Sequence, residues 1–435
     1  MVKLSLSTLK KVLFISYYWP PSGKATLHWP LKLIKHLPEN GWQPIVLTVN
    51  EDTFSEKDET FLSDIDPNLK VFRAESLEPF NIYKSVTGRS KDSQLVVSET
   101  ISKTNQKFSH RLSLWIRMNL FIPDARIGWY FPAVNAGAKI LSTETVEAIV
   151  SVGPPHSTHL IGKKLASKFN LPHVPVFIDP WVDIAYYRDF RRSNLTLKID
   201  KHLEKSVLKK CSSVVFVTNT MKNDYEKKYP FINKKSHLLY WGYSENDFEG
   251  IEIKQKISDE KIIVHAGNLF SYQNPVNFWK QVKKEIDTGK KLKLKFIGTV
   301  DSIIKNSILK AGLSSFTEYA GFLPYKKMIE EICNSDYLLV CATEPRHVPG
   351  KLFEYLRTVK PIIAFGDGNE EVKNILEQSK AGVMFGYEES GDEFFKIVQS
   401  LKTNKDYIKK FERKLISKQL TDILHLYTIN PAKSE

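Results

Sequence analysis

Cysteine is scarce in this chain, and long apolar runs are missing from it. The 435 residues hold three cysteines, Cys211, Cys333 and Cys341, none of them in CxxC or Cys/His metal-ligand spacing. That excludes a disulfide framework and a zinc ribbon, and the three read as reduced core thiols. No window approaches the roughly 20 apolar residues that cross a bilayer as a helix. Lysines precede an apolar stretch near the N-terminus, but Val12 to Ile15 is too short for the apolar part of a signal peptide. It runs straight into Tyr17, Tyr18, Trp19 and two prolines, so the protein is expected to stay in the cytoplasm. Helix-turn-helix, finger and RRM signatures are also missing, so the net charge of +14 does not point to nucleic acid. Its lysines are scattered, and solvated lysine faces account for most of the excess. The partner that fits the remainder is an anionic membrane surface, with the protein peripheral at the inner face of the cell membrane.

What is present is a soluble balance, 42% hydrophobic and 26% charged, in a chain long enough for two domains. Apolar β-branched runs alternate with segments of helical period in both halves, the pattern of βαβ units and parallel sheets. In the first half strands are expected near Val12–Ile15, Ile45–Val49, Lys70–Arg73, Ala148–Val152, Val174–Ile178 and Val214–Val217. In the second they fall near Ile262–His265, Leu292–Ile297, Phe316–Tyr319, Tyr337–Val340 and Pro361–Ala364. The polar stretch Ser244–Glu260 separates the two series. This gives a first domain over 1–248, a second over 249–405, and a closing helix and tail over 406–435. Residues 84–107 are polar without apolar period and are expected to be a mobile insertion. Two doubly wound domains would leave a ligand cleft at the carboxyl ends of both sheets.

The sharpest segment runs from Glu344 through Arg346, Pro349, Gly350, Lys351 and Glu354 to Pro361, after the strand at Tyr337–Val340. Pro349 suits the first turn of a helix, where its missing N–H costs nothing. Leu352, Tyr355 and Leu356 form the buried stripe and leave Lys351 and Glu354 one turn apart beside it. A helix N-terminus with a lysine in its first turn suits a diphosphate, and a glutamate one turn deeper could accept hydrogen bonds from ribose hydroxyls. The alternative on spacing alone is an ordinary i,i+3 surface ion pair.

The run Pro-Gly-Lys-Leu-Phe-Glu-Tyr-Leu followed by Lys-Pro-Ile-Ile-Ala resembles the donor-binding signature of glycosyltransferase family 4 and its GT-B relatives. The blocks beginning at Tyr17, Trp42, Pro123, Ser151, Asp179 and Ala266 resemble, in the same order, a bacterial subgroup associated with surface-polysaccharide assembly. The resemblance implies a GT-B fold, with two Rossmann-like domains facing across a cleft. It implies a nucleotide-sugar donor bound by 249–405, a lipid-linked or oligosaccharide acceptor on the side of 1–248, and transfer with retention. Lys351 and Glu354 would hold diphosphate and ribose, with Gly267, Asn268, Arg346 and Gly350 completing the donor site. Departures are visible. Relatives often carry a glutamate eight positions before the ribose-binding one; here that place is Arg346, and Glu344 is the nearest acid. Where Arg and Lys often follow the first strand of that domain, this chain has Asn268 and Gln273. Arg346 could supply a missing cation by forking onto phosphate.

In the first half, Gly23 and Lys24 follow the first strand, where relatives place glycines that let backbone approach ligand; the alternative for Gly23 is a turn. His156 starts a helix after a strand end and should point to the cleft mouth, or else cap or pack. Asp179, just past Val174–Ile178, could orient an acceptor hydroxyl or take its proton, or form an Asx turn. Asp179, His156 and Glu344 are therefore the candidate catalytic groups. Asp64-Ile-Asp66 has a metal-binding spelling but sits in the place of a turn, and no other acid or histidine cluster has metal spacing, so no metal and no cofactor are expected. Lys107–Ile122 is basic and aromatic with roughly helical period, suited to a bilayer interface or to a core. The expected activity is metal-independent hexosyl transfer, the rival being an inactive GT-B protein that senses sugar nucleotides or assists assembly.

Overall fold

The computed structural model describes residues 9–76, 115–184, 192–253, 259–342 and 344–428. The expected insertion at 84–107 lies outside them. The chain forms two compact units. The first comprises Met1–Val217, Met221–Leu239 and Ser417–Glu435; the second comprises Thr218–Thr220 and Tyr240–Ile416.

The first unit is built on seven parallel strands: β1 (Lys10–Ser16), β2 (Trp42–Val49), β3 (Lys70–Ala74), β4 (Val146–Gly153), β5 (His173–Phe177), β6 (Val214–Phe216) and β7 (Ser236–Leu238). Their order is β3-β2-β1-β4-β5-β6-β7. β1 is central, with Leu13 opposite Ile45 on one side and Ile149 on the other. Val12 to Ile15 are fully buried, as a strand covered on both faces requires. The helices are α1 (His28–Ile34), α2 (Tyr130–Thr143), α3 (Ser157–Phe169), α4 (Asn194–Lys210) and α5 (Asn219–Lys228).

The second unit has six parallel strands: β8 (Lys261–Ala266), β9 (Leu292–Ile297), β10 (Thr317–Gly321), β11 (Tyr337–Cys341), β12 (Ile362–Phe365) and β13 (Gly382–Phe385), ordered β10-β9-β8-β11-β12-β13. Its helices are α6 (Val276–Asp287), α7 (Ser302–Lys310), α8 (Tyr325–Asn334), α9 (Lys351–Thr358), α10 (Glu370–Ser379), α11 (Asp392–Ile397), α12 (Lys405–Lys409) and α13 (Arg413–Thr428). Alternate strand residues enter opposite cores. Val264, Leu338, Val340 and Ala364 pack with Leu352, Tyr355 and Leu356 of α9 and with α10. Ile263, Leu339, Ile363 and Phe365 pack with Phe278 and Trp279 of α6 and with Ile304 and Ile308 of α7. The period of two along each strand thus produces a sheet with helices on both faces.

Instead of one long closing helix from Asp406, the chain makes α12 and α13. The break has a backbone cause: Tyr243 N donates to Phe411 O at 2.9 Å and Arg413 N donates to Tyr243 O at 2.8 Å, which withdraws residues 411–413 from a helical ladder. The later turns of α13 pack in the first unit, where Trp42 Nε1 donates to His425 Nε2 at 3.2 Å, Lys10 Nζ to Thr428 Oγ1 at 2.8 Å, and Tyr427 Oη to Ser212 O at 2.7 Å.

Candidate active site

In each sheet the strand order reverses beside the first strand, between β1 and β4 and between β8 and β11. Ligands of open α/β sheets bind outside the carboxyl ends of strands at such reversals, and the sequence-predicted residues follow the strands that flank them, except Asp179, which lies one strand further along. Gly23 and Lys24 follow β1, His156 follows β4 and Asp179 follows β5; Gly267 and Asn268 follow β8, and Glu344, Arg346 and Gly350 follow β11.

In the second unit α9 begins at Lys351, two residues after Pro349, and Gly350 is its N-cap. Its register over β8 is set by Tyr355, whose hydroxyl accepts from Ala266 N at 2.8 Å. Lys351 is thereby carried to the end of β8. His265 Nδ1 lies 2.9 Å from Leu339 O and so carries the proton, and its Nε2 accepts from Lys351 Nζ at 3.3 Å. Burial, the largest influence, brings the Lys351 amine down to about 8, against the upward pull of Cys341 and Glu354. Burial and then the neighbouring ammonium hold His265 well below its ordinary value, so it stays neutral. The site thus contains a desolvated cation beside a neutral acceptor, an arrangement that favours a polyanion.

Glycines shape the surrounding backbone. Gly267 has a φ of +106°, and a Cβ on it would lie 2.6 Å from Lys351 Nζ. Gly298 has a φ of +107°, and its Cβ would meet the Gly267 carbonyl at 2.8 Å. Both positions need φ > 0 and close approach. Gly350 leaves room for Trp241, whose Nε1 would stand 2.7 Å from a Cβ there.

Glu354 is 6% exposed. Its Oε1 accepts from Tyr325 Oη at 2.6 Å, and that hydroxyl also lies 3.2 Å from Asp247 Oδ2. The pair is a buried brace rather than a surface ion pair. Asn369, which nothing in the sequence singled out, holds the loop before α9: its Nδ2 donates to Glu344 O and His347 O, both at 2.8 Å, and its Oδ1 caps α10 at Val372 N. Arg346 is half-buried, and its carbonyl accepts from Thr218 Oγ1 at 3.4 Å. Asn268 is exposed and its Oδ1 accepts from Thr299 N at 3.0 Å. Gln273 is committed to the fold, donating to Cys341 O at 2.6 Å and accepting from Phe270 N at 3.0 Å.

The first unit holds its predicted residues differently. Gly23 needs no special conformation, since a Cβ there would meet Glu56 at an ordinary 3.6 Å. Lys24 pairs with Glu56 at 3.0 Å. His156, expected at a cleft mouth, is buried. Its ring stacks on Trp181 at 5.1 Å, its Nε2 lies 3.2 Å from Pro180 O, and burial lowers it to about 3. The reason is that β4 ends in Gly153-Pro-Pro and delivers α3 directly against the Trp181 loop. Asp179 is half-buried beyond β5.

Asp124 is the carboxylate sequence reading missed. Its Oδ2 accepts from Ser157 N at 2.8 Å, which places it at the N-terminus of α3; the aspartate inside the Pro123–Trp129 block was the available signal. Asp64 pairs with Lys32 at 2.7 Å and Lys35 at 2.9 Å, and Asp66 accepts from Asn68 N at 2.8 Å, so Asp64-Ile-Asp66 forms a turn and ion pairs. Among the described residues, no group of three or more His, Cys, Asp or Glu side chains is placed to hold a metal ion, and no helix is long and apolar enough to cross a membrane.

Similar architectures occur in solved structures. Sucrose-phosphate synthase from Thermosynechococcus elongatus is 11% identical, with a TM-score of 0.62 over 97% of this chain and 99% of that one. A glycosyltransferase from Rickettsia africae is 13% identical, with a TM-score of 0.63 over 97% and 99%. HepE of Anabaena, in complex with UDP-glucose, is 14% identical, with a TM-score of 0.59 over 96% and 99%. At these identities the likeness concerns fold. No curated protein matches the sequence. The chain has the GT-B fold of two Rossmann-like units, and its residues 247–418 match the family of glycosyl transferases group 1.

Proposed function

We propose that this chain is a glycosyltransferase that moves a sugar from a nucleotide-activated donor to a hydroxyl. The observation that carries the reading is the Lys351 ammonium, half-buried at the β8/β11 reversal in the first turn of α9 and backed by His265 and Gly267. A leaving nucleoside diphosphate seated there would be met by that charge, by the α9 N-terminus and by Arg346, so neutralisation requires no metal ion. Glu354, one turn deeper in α9 and braced by Tyr325, is the group assigned to a ribose hydroxyl. Asp179 stands for the acceptor side, with His156 supporting its loop through Pro180, and Glu344 is the acid nearest in sequence to Arg346, which stands where relatives often carry a glutamate. The family resemblance in the sequence adds retention, a lipid-linked saccharide acceptor in surface-polysaccharide assembly, and work at the cytoplasmic membrane face.

A thermal-shift panel of UDP-, GDP-, ADP-, CMP- and dTDP-sugars tests the donor, because a ligand that binds only the folded state raises apparent stability by mass action. UDP-sugars come first, since HepE was solved with UDP-glucose. The stabilising donor should then be consumed, releasing its diphosphate at a rate that EDTA leaves unchanged. Gln273, committed within the fold where relatives often have a cation, favours a second reading as a sensor of sugar nucleotides. Binding without consumption under any acceptor condition would establish that reading instead.

Tyr325 holds Glu354 without touching the reacting atoms. Burial and then Glu354 push its hydroxyl well above the usual tyrosine range, so it remains a donor. Tyr325→Phe should raise the donor KM about tenfold, the scale of one hydrogen bond to a charged group, and change kcat by less than about threefold. An unaltered KM would mean that Tyr325 only packs.

A further inference from the structure

α4 has two acids, Asp200 and Glu204, and both are turned inward. Asp200 accepts from Trp181 Nε1 at 2.7 Å and Arg192 at 2.6 Å. Glu204 accepts from Tyr225 and Tyr229, both at 2.7 Å, and from Lys228 at 2.7 Å. The outward face therefore carries Lys198, Lys201, Lys205 and Lys209 with no carboxylate among them. At the amino end of that face Leu195 and Ile199 stand one turn apart, 68% and 40% exposed.

A second segment meets this end. Asn119 Oδ1 accepts from Ser193 N at 2.6 Å and from Thr196 Oγ1 at 3.1 Å, which fixes the helical residues 115–120 against the start of α4. Their Leu120 is 63% exposed and their Trp115 is 50% exposed. α3, which contacts α4 through Lys163 Nζ and Ser206 Oγ at 2.8 Å, contains no acid at all.

We propose that the outward face of α4, with residues 115–120, is a docking surface for an anionic lipid bilayer. Leu195, Ile199, Leu120 and Trp115 enter the headgroup boundary, and the lysine row lies against lipid phosphates. Four large apolar side chains beside an acid-free lysine row suit an interface in which one part is apolar and the other anionic. A duplex nucleic acid would use the lysines and leave the apolar groups without a role. The inference rests on and deepens the membrane-face part of the proposed function, but none of its groups is in the donor site, so loss of lipid binding would leave the transfer reaction standing.

The test is sedimentation of the full chain with vesicles, without nucleotide or sugar, at about 0.15 M salt, where exposed charges more than about 8 Å apart are largely screened. Vesicles containing phosphatidylglycerol should capture the protein, and pure phosphatidylcholine vesicles should not. The triple variant Lys198→Glu, Lys201→Glu, Lys205→Glu should lose capture by about tenfold or more. The double variant Leu195→Asn, Ile199→Asn keeps every charge and should also lose it, which guards against a folding defect peculiar to charge reversal. Both should retain the wild-type thermal transition. Capture by neutral vesicles as strong as by anionic ones, or capture unchanged in both variants, would overturn the proposal. Binding to random duplex that the triple variant loses and the double variant keeps would assign the face to nucleic acid instead.

Discussion

Replacing Lys351 with methionine should cut kcat/KM by about two to three orders of magnitude, the loss seen when one preorganised charge-stabilising group is removed. Methionine keeps the length and most of the volume of the side chain, so α9 should stay packed through Leu352, Tyr355 and Leu356 and the melting transition should hardly move. His265 is then left without its donor but keeps its bond to Leu339 O. The wild-type protein should show the same dependence through pH. Only the ammonium attracts a diphosphate, and with the free amine titrating near 8, donor affinity should be full below pH 8 and fall above it. In Lys351→Met that limb should vanish. Near-normal transfer by the variant, or an alkaline limb that survives it, would remove Lys351 from the mechanism.

Acid should destabilise the first unit steeply. His156, His159 and His173 are buried together: Ser151 Oγ bridges His159 Nδ1 at 2.9 Å and His173 Nε2 at 2.8 Å, and His156 and His159 rings lie 5.6 Å apart. Burial takes His156 and His173 to about 3 and, with the other two rings, holds His159 well below the usual range; Lys163 also bears on His173. A depressed histidine binds its proton in the unfolded chain first, so stability rises with pH between about 3 and 6.5 and is lost as pH falls through that window. One such group contributes about 1.4 kcal/mol per pH unit, and three acting together about 4. Against a total of about 5–15 kcal/mol, that brings unfolding between about one and three and a half pH units below 6.5. Urea midpoints at pH 6.5, 5.5 and 4.5 measure the slope, and His173→Gln should flatten it by about a third. A slope equal in the variant would show that carboxylates, not these rings, set acid stability.

The strands most readily read beforehand are those whose apolar, β-branched runs are buried on both faces, such as Val12–Ile15 and Ile45–Val49. The two that could not, β7 and β13, are edge strands of three and four residues, Ser236–Leu238 and Gly382–Phe385. β7 carries no apolar run, and in β13 the run is only Val383-Met384-Phe385 behind Gly382, whose backbone sits where a Cβ would reach to 1.9 Å from Ile362 O. Within the site, Lys351 and Glu354 were legible from helical spacing because both belong to one short helix. Their partners were not. His265 lies 86 residues from Lys351, Tyr325 is 29 from Glu354, and Asn369 acts on a loop 22 to 25 residues away. Such pairings are made by sheet order, which a local pattern does not contain. His156 misled for a related reason: its position at a strand end was right, but the Trp181 loop that covers it comes from the neighbouring strand.

The return of α13 to the first unit has a practical consequence for anyone dissecting the protein. A fragment ending at Leu239 would lack Ser417–Glu435, which count with that unit. Trp42, fully buried in the intact chain, would lose His425 as its hydrogen-bond partner, and Ser212 and Lys10 would lose Tyr427 and Thr428. Such a fragment should be insoluble or molten on its own. Supplying the α13 sequence through a short flexible tether after residue 239 should restore it.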